Sequence, residues 1–316
     1  MHSSPTVTVI IPNYNHSKYL EKRIDSVLKQ KYKDFEILIL DDCSTDDSLE
    51  KIRFYASRYK KITVILNKKN SGSPFKQWEK GISISKGRFI WIAESDDYAD
   101  KEFLSTLVPI LEKNQKVAIA FCQSIRIDSN DKKLYSCLNW GNKRYSNNFK
   151  NKGTDEYLNF GVYSHGIYNA SAVLFRKEFA LKVPKIYTNY RYAGDSLFWN
   201  EMLLEGDLYY IAKPMNYFRE TILNAGIYNE RSFTILKEEY SILHYLLKNT
   251  ILNHNNEALI KKKKALSIKW VSLLHKINYK RNLTLYRVAL KVDKIIIFRL
   301  VFKGIIGYLK KISSWS

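Results

Sequence analysis

The sequence predicts an α/β fold: a mostly parallel sheet flanked by helices, followed by a basic helical extension. Three observations carry that expectation. Short β-rich apolar runs alternate with helix-period patterns through the first half of the chain. Two of those runs stop directly in clustered carboxylates, at Asp41-Asp42 and at Glu94-Ser95-Asp96-Asp97. Beyond about Ser232 the strand patterns end and Lys-rich helical patterns replace them.

Val7–Ile11 is a continuous apolar run and reads as a buried strand; Leu20, Ile24, Val27 and Leu28 then recur at helical spacing. Glu36–Leu40 is the second strand. A helix follows it, with Asp47 as N-cap and Glu50 three residues on, a capping-box pattern. Ile62–Leu66 is a third strand, and Pro74 suits the first turn of the next helix, where its missing N–H costs nothing. Arg88–Ala93 is a fourth strand, Lys101–Leu111 a helix and Val117–Cys122 a fifth strand. Residues 130–165 are irregular and rich in Asn, Lys and Tyr. Ala170–Phe175 reads as strand and Asp195–Glu205 as a helix closed by Gly206. The expected division is a domain over residues 1–231 and a helical basic extension over 232–316. No repeat of fixed period appears, which excludes solenoids and propellers.

The chain has 316 residues, 45% of them hydrophobic and 26% charged, enough to bury a sizeable core and unlike a disordered chain. Its net charge is +21, unevenly spread: residues 237–316 hold 17 Lys/Arg against four Asp/Glu. Such an excess suits anionic lipid, nucleic acid or phosphorylated substrates. Cys43, Cys122 and Cys137 are odd in number and lack metal-site spacing, so reduced thiols are expected. Met1–Pro5 carries no basic segment followed by an apolar core, and no stretch reaches 18 uninterrupted apolar residues. A cytoplasmic protein is the expectation.

In open parallel sheets ligands bind beyond the carboxyl ends of the strands. The acidic clusters fall there, and Asp195 stands at an expected helix start. For Asp46 and Asp47 the helix-capping role is the simpler reading. For Glu94, Asp96 and Asp97, clustered hard oxygen ligands point to a divalent cation, Mn2+ or Mg2+, with a diphosphate supplying further oxygens. Neither G-x-G-x-x-G after the first strand nor G-x-x-x-x-G-K-[ST] occurs, so a diphosphate would need such a counter-charge.

The segments VTVIIPNYN (7–15), FEILILDDCSTD (35–46), NSG (70–72), GRFIWIAESDD (87–97) and YRYAGDSLFW (190–199) occur in that order. On them the chain resembles the family 2 glycosyltransferases, over about residues 6–220. The resemblance implies a GT-A-type fold, inversion at the anomeric carbon and a nucleotide-diphosphate sugar donor, most widely a UDP-sugar. It implies that Pro12 and Tyr14 contact the donor, Tyr14 by stacking on the base, and that Asp42 accepts a hydrogen bond from the base imide. Lys76 stands where a basic residue faces the donor, Asp96 at the ribose and Asp97 at the metal, with Glu94 at the first position of the D-x-D-like motif. Asp195 takes the place of the general base, and Arg219 that of a basic residue which often precedes a His. The sequence departs from the pattern in Cys43 for a Gly, Glu94 for an Asp, Gly194-Asp195 for an acidic pair, and Glu220-Thr221 where the His is expected.

The acceptor implied is a saccharide or lipid-linked saccharide, as in cell-surface polysaccharide synthesis. Two other classes fit less well. A sugar-nucleotide nucleotidyltransferase would carry a Gly-rich loop near the N-terminus, which Pro12–His16 lacks. A basic nucleic-acid-binding protein fits the charge, yet the acidic strand ends would repel phosphate backbones, so no nucleic-acid partner is expected. Trp78 and Trp91 read as core, whereas Trp140 and Trp199 lie near the expected acceptor half, where His165 is a loop residue or an acceptor contact. In the tail, Lys261–Lys264 and the stripe Ile297, Val301, Ile305, Tyr308 and Ile312, with Arg299, Lys303 and Lys310 largely off it, suit an amphipathic helix on an anionic membrane surface, or a face packed on the protein.

Overall fold

The computed structural model describes residues 4–137, 142–164, 167–220 and 225–301. Elements follow in the order β1 (Val7–Asn13), α1 (Ser17–Leu28), β2 (Phe35–Asp41), α2 (Ser48–Arg58), β3 (Ile62–Leu66), α3 (Pro74–Ile84), β4 (Phe89–Ile92), β5 (Tyr98–Ala99), α4 (Phe103–Lys113), β6 (Val117–Ile127), β7 (Lys133–Cys137) and β8 (Phe149–Asn151). Then come α5 (Gly153–Glu156), α6 (Val162–Ser164), β9 (Val173–Arg176), α7 (Lys177–Ala180), α8 (Gly194–Glu205), β10 (Asp207–Arg219), α9 (Ala225–Asn249), α10 (Glu257–Leu273) and α11 (Tyr279–Ala289). The chain divides into two compact units. The first comprises Met1–Glu156, Ile167–Arg191 and Phe198–Thr221; the second comprises Tyr157–Gly166, Tyr192–Leu197 and Ile222–Ser316. The expected boundary at 231/232 falls inside α9.

The first unit is built on one sheet in the order β3-β2-β1-β4-β9-β6-β10-β5, with β7 on β6 and β8 on β10. The parallel portion is β3-β2-β1-β4, and β1, β2 and β3 are each followed by a helix in the way the alternating patterns require. β9 then runs antiparallel to both neighbours, so the second half of the sheet is mixed. β1 and β4 are buried throughout, which is why they read as continuous apolar runs rather than alternating ones. Gly87 sits at the entry to β4, where its amide donates to Thr8 Oγ1 at 2.8 Å. A Cβ there would come within 2.4 Å of the Thr8 amide nitrogen, so only glycine lets β4 start against β1.

Two features were not legible beforehand. β10, 13 residues long, carries Pro214 among irregular polar and apolar positions; register shifts on either side of Pro214 absorb it. β7 and β8 occupy the stretch expected to be irregular. At α2, Asp47 stands at the N-cap position but makes no side-chain capping bond. Asp46 does that work, accepting from the Ser48 amide at 3.0 Å and the Ser17 amide at 2.9 Å. Burial pushes its carboxyl up, but those bonds outweigh burial and hold it below its ordinary range.

The second unit packs α9, α10 and α11 around Tyr240, Leu243, Leu246, Leu259, Leu266, Trp270 and Leu285, all buried. Asn256 and Asn278 cap α10 and α11, accepting from the Leu259 and Arg281 amides. Within the Lys261–Lys264 run, Lys262 and Lys263 are buried, and Lys262 pairs with Glu239 at 2.9 Å. Of the expected apolar stripe, Ile297 and Val301 are exposed; Ile305, Tyr308 and Ile312 lie outside the described residues. No helix among the described residues is long and apolar enough to cross a membrane.

Candidate functional site

The loops after β1, β2, β3 and β4 gather at one edge of the first unit's sheet, where side-chain hydrogen bonds tie the β1 loop to the β2 and β4 loops and the β2 loop to the β3 loop. Pro12 is buried in β1, beside Leu40 of β2. Tyr14 follows the strand and is 45% exposed, leaving a broad aromatic surface open. Its loop is held by Asp41, which the sequence showed only as half of the Asp41-Asp42 pair, with no role of its own. Asp41 accepts from Asn13 Nδ2 at 2.8 Å, from Ser44 Oγ at 2.6 Å and from the Ser44 amide at 2.9 Å. Ser44 Oγ in turn accepts from the Asn15 amide at 3.0 Å. Asn15 and Cys43 both adopt left-handed backbone, at φ 55° and 65°.

Asp42 is buried, and its carboxylate is already well supplied with donors. It accepts from Asn67 Nδ2 (2.6 Å), Gln77 Nε2 (2.9 Å), Ser71 Oγ (2.7 Å) and the Ser71 amide (3.0 Å). A carboxylate offers about four acceptor sites, so in this structure Asp42 anchors the Asn70–Ser73 loop. Gly72 lies in that loop at φ 74°, and its amide donates to Asn70 Oδ1. Lys76, exposed on the first turn of α3, donates to the Ser71 carbonyl at 3.0 Å.

The acidic turn after β4 holds Glu94, Asp96 and Asp97. Glu94 Oε1 accepts from Trp78 Nε1 at 2.8 Å. Asp97 is buried; its carboxylate accepts from the Arg219 amide at 2.9 Å and from Asn169 Nδ2 at 3.1 Å. Burial, then the neighbouring Asp96 and Asp97 charges, push the Glu94 carboxyl up to about 8, against the Trp78 bond and the Arg23 charge. Burial and Asp96 raise Asp97 as well. Asp96 is half-buried. Crowded anions of this kind accept a cation readily, so the donor chemistry fits a divalent ion. Among the described residues, however, no three Asp, Glu, His or Cys side chains converge as a metal cage. The fit is therefore for Asp96 and Asp97 with oxygens from a bound diphosphate, and Glu94 is held by Trp78.

Arg219 ends β10 and is buried. Its Nε donates to the Asp96 carbonyl (2.7 Å), Nη1 to the Asp128 carbonyl (2.6 Å) and Nη2 to Asp131 (2.5 Å), and the guanidinium lies 4.1 Å from the centre of the Tyr19 ring. Arg23 was missed altogether. It stands on the buried face of α1 between Leu20 and Val27, fully enclosed, with Nε donating to the Glu94 carbonyl at 2.8 Å. An arginine inside the apolar stripe of a helix was the available signal. Trp78 and Trp91 are core, as expected; Trp199 is core too, packed with Trp78, Phe175 and Phe198. Trp140 and His165 lie outside the described residues.

Pro12, Tyr14, Asp42, Lys76, Glu94, Asp96, Asp97 and Arg219 all belong to the first unit. Asp195 belongs to the second, as the second residue of α8, and its Oδ1 accepts from the Ser196 amide at 2.8 Å.

Residues 8–174, just over half the chain, match the family described as Glycosyl transferase family 2. The chain belongs to that family. Among family relatives, glycosyltransferase GlyG of Streptococcus pneumoniae is 35% identical over 117 residues, 37% of this chain and 38% of that protein. TarS of Staphylococcus aureus, a poly(ribitol-phosphate) β-N-acetylglucosaminyltransferase, is 32% identical over 109 residues, 34% of this chain but only 19% of TarS. The matched stretch thus spans well under half of either relative. The solved fragment 1–349 of TarS in complex with UDP-GlcNAc superposes with a TM-score of 0.65 over 95% of this chain and 89% of that one, at 15% identity. The mannosyltransferase PcManGT of Pyrobaculum calidifontis, in complex with GDP-Man and Mn2+, gives 0.57 over 96% and 85%, also at 15% identity. Those likenesses show the fold, which is of the GT-A type with a helical C-terminal region.

Proposed function

We propose that this family 2 chain is an inverting glycosyltransferase. It moves a sugar from a nucleotide diphosphate donor, a UDP-sugar first, to a saccharide or lipid-linked saccharide acceptor in cell-surface polysaccharide synthesis. The observation that carries the proposal is the gathering of Tyr14, Asp42 and the Glu94–Asp97 turn at the carboxyl edge of β1, β2 and β4. Relatives named as poly(ribitol-phosphate) glycosyltransferases and a structural neighbour bound to UDP-GlcNAc support both the donor class and a polymer acceptor.

In this reading Tyr14 offers its open face to the base. Asp42, occupied by Ser71, Asn67 and Gln77, shapes the base pocket through the Asn70–Ser73 loop, and reaches a base imide only by giving up one of those bonds. Lys76 lends positive charge to the same rim. Asp96 meets the ribose; Asp97 and Asp96 would hold a divalent ion, which would supply positive charge for the departing diphosphate. Asp195 removes the proton from the acceptor hydroxyl; single displacement needs this one base and no carboxylate nucleophile. Fixing donor and acceptor in line accounts for several kcal/mol of the barrier. Residues 1–231 are assigned the catalytic role. The basic region 232–316 is assigned attraction to an anionic membrane surface, the acceptor's location if it is lipid-linked.

A thermal-shift screen of nucleotide sugars with and without manganese tests the donor class, because specific binding raises the midpoint by mass action. Transfer is expected to stop in excess chelator, and Asp97→Ala to weaken nucleoside diphosphate binding more than nucleoside binding. Full turnover in metal-free buffer would overturn the metal assignment, and no response to any nucleotide sugar would overturn the donor assignment.

A further inference from the structure

Two buried arginines hold the acidic turn by its backbone. Arg23 Nε donates to the Glu94 carbonyl at 2.8 Å and Arg219 Nε to the Asp96 carbonyl at 2.7 Å. The two come from different elements, α1 and the end of β10, so the turn is gripped from two directions. Their remaining nitrogens differ. Arg219 spends Nη1 and Nη2 on the Asp128 carbonyl and Asp131, and Asp131 also pairs with Lys22 at 2.9 Å. Arg23 Nη1 and Nη2 meet no acceptor on the protein, although the side chain is fully enclosed.

A buried guanidinium with two unmatched nitrogens is costly unless nearby negative charge compensates. The compensating charges are Asp97, Asp96 and Glu94, in that order, and they act against burial, which draws the Arg23 guanidinium down to about 10. Lys22, Arg23 and Arg219 thus face Glu94, Asp96, Asp97 and Asp131. We propose that Arg23 and Arg219 form a guanidinium clamp: positioning residues that hold the Glu94–Asp97 turn in its ion-ready shape, with Arg23 as the resident counter-cation of its carboxylates. Arg219 serves the donor through this turn. The inference rests on the reading of the turn as donor-facing, but its test measures stability and cation response. Loss of the clamp and loss of the transferase reading are therefore separate outcomes.

The experiment compares thermal midpoints of wild type, Arg23→Lys, Arg23→Met and Arg23→Met/Asp97→Asn, each with and without Mn2+ and no nucleotide. Without its counter-cation the turn is expected to depend on the ion, so Mn2+ should raise the midpoint of Arg23→Met by several degrees more than that of wild type. Arg23→Lys should fall between them, and Asp97→Asn should restore part of the stability lost in Arg23→Met. A purely packing role for Arg23 moves neither the Mn2+ response nor the double variant. Equal Mn2+ shifts in wild type and Arg23→Met would overturn the clamp. Should Arg23→Met fail to fold, the double variant decides: recovery supports the clamp, and failure overturns it.

Discussion

Asp195 and Glu201 share α8 but are set different tasks. Asp195 is the second residue of the helix, where its Oδ1 accepts from the Ser196 amide and the helix terminus favours negative charge. Asn keeps both the shape and the acceptor, so Asp195→Asn separates basicity from local structure. With Asp195 as the base, the variant should bind donor normally, melt near wild type and turn over about 100- to 10,000-fold more slowly; near-normal turnover would leave it a first-turn acceptor only. Glu201 is half-buried, with Oε1 unmatched on the protein, and burial followed by the Glu205 charge lifts its carboxyl to about 7. The raised value means the folded state holds a proton the unfolded chain has released, so stability is greatest at acid pH and falls as pH rises from about 4.5 to 7. Glu201→Gln should flatten that loss, gaining on the order of 1–3 kcal/mol at pH 8 relative to pH 5. Unfolding curves for both proteins at the two pH values check this, and parallel pH profiles would show Glu201 to be adequately solvated.

At the scale of elements, the parallel strands and the acidic ends of β2 and β4 were legible because buried parallel strands leave unbroken apolar runs. What each carboxylate does was not legible. Asp41 and Asp42 are adjacent in sequence, yet one fastens the β1 loop through Ser44 and the other the β3 loop through Ser71 and Gln77. Those partners stand 3 to 35 residues away and declare themselves only when the strands pair. Arg219 carries the same lesson, since the Asp128 carbonyl and Asp131 stand 91 and 88 residues from it in sequence. The turn after β2 offers a check on the departure at Cys43. At φ 65° a side chain costs about 1–2 kcal/mol, and glycine's extra chain entropy returns about half of that. Cys43→Gly is expected to raise stability by about 0.5–1 kcal/mol in denaturant unfolding. A loss instead would mean that the Cys43 Sγ contact with the Lys68 carbonyl outweighs the backbone strain.

For the whole molecule, the sequence shows an excess of positive charge in the last quarter, and the structure shows which part of it remains available. Lys262 and Lys263 are interior, and Arg299 is engaged by Asp293 at 2.7 Å. Val292 and Ile296 are buried in the second unit, so a truncation anywhere before them removes core and confounds any binding test. Ending the chain at residue 301 keeps that core and the Asp293–Arg299 pair while deleting Lys303, Lys310 and Lys311. Each lysine close to an anionic surface contributes about 1 kcal/mol, so three together amount to roughly a hundredfold in partitioning. The shortened chain should therefore bind anionic vesicles about a hundredfold less tightly at low salt, and its melting midpoint should stay near that of the intact chain. Salt should weaken the intact chain more steeply than the shortened one, because more charges are screened. Equal partitioning of the two would assign vesicle attraction to charges before residue 302, and an intact chain that ignores anionic vesicles at low salt would remove the membrane-surface role from the basic region.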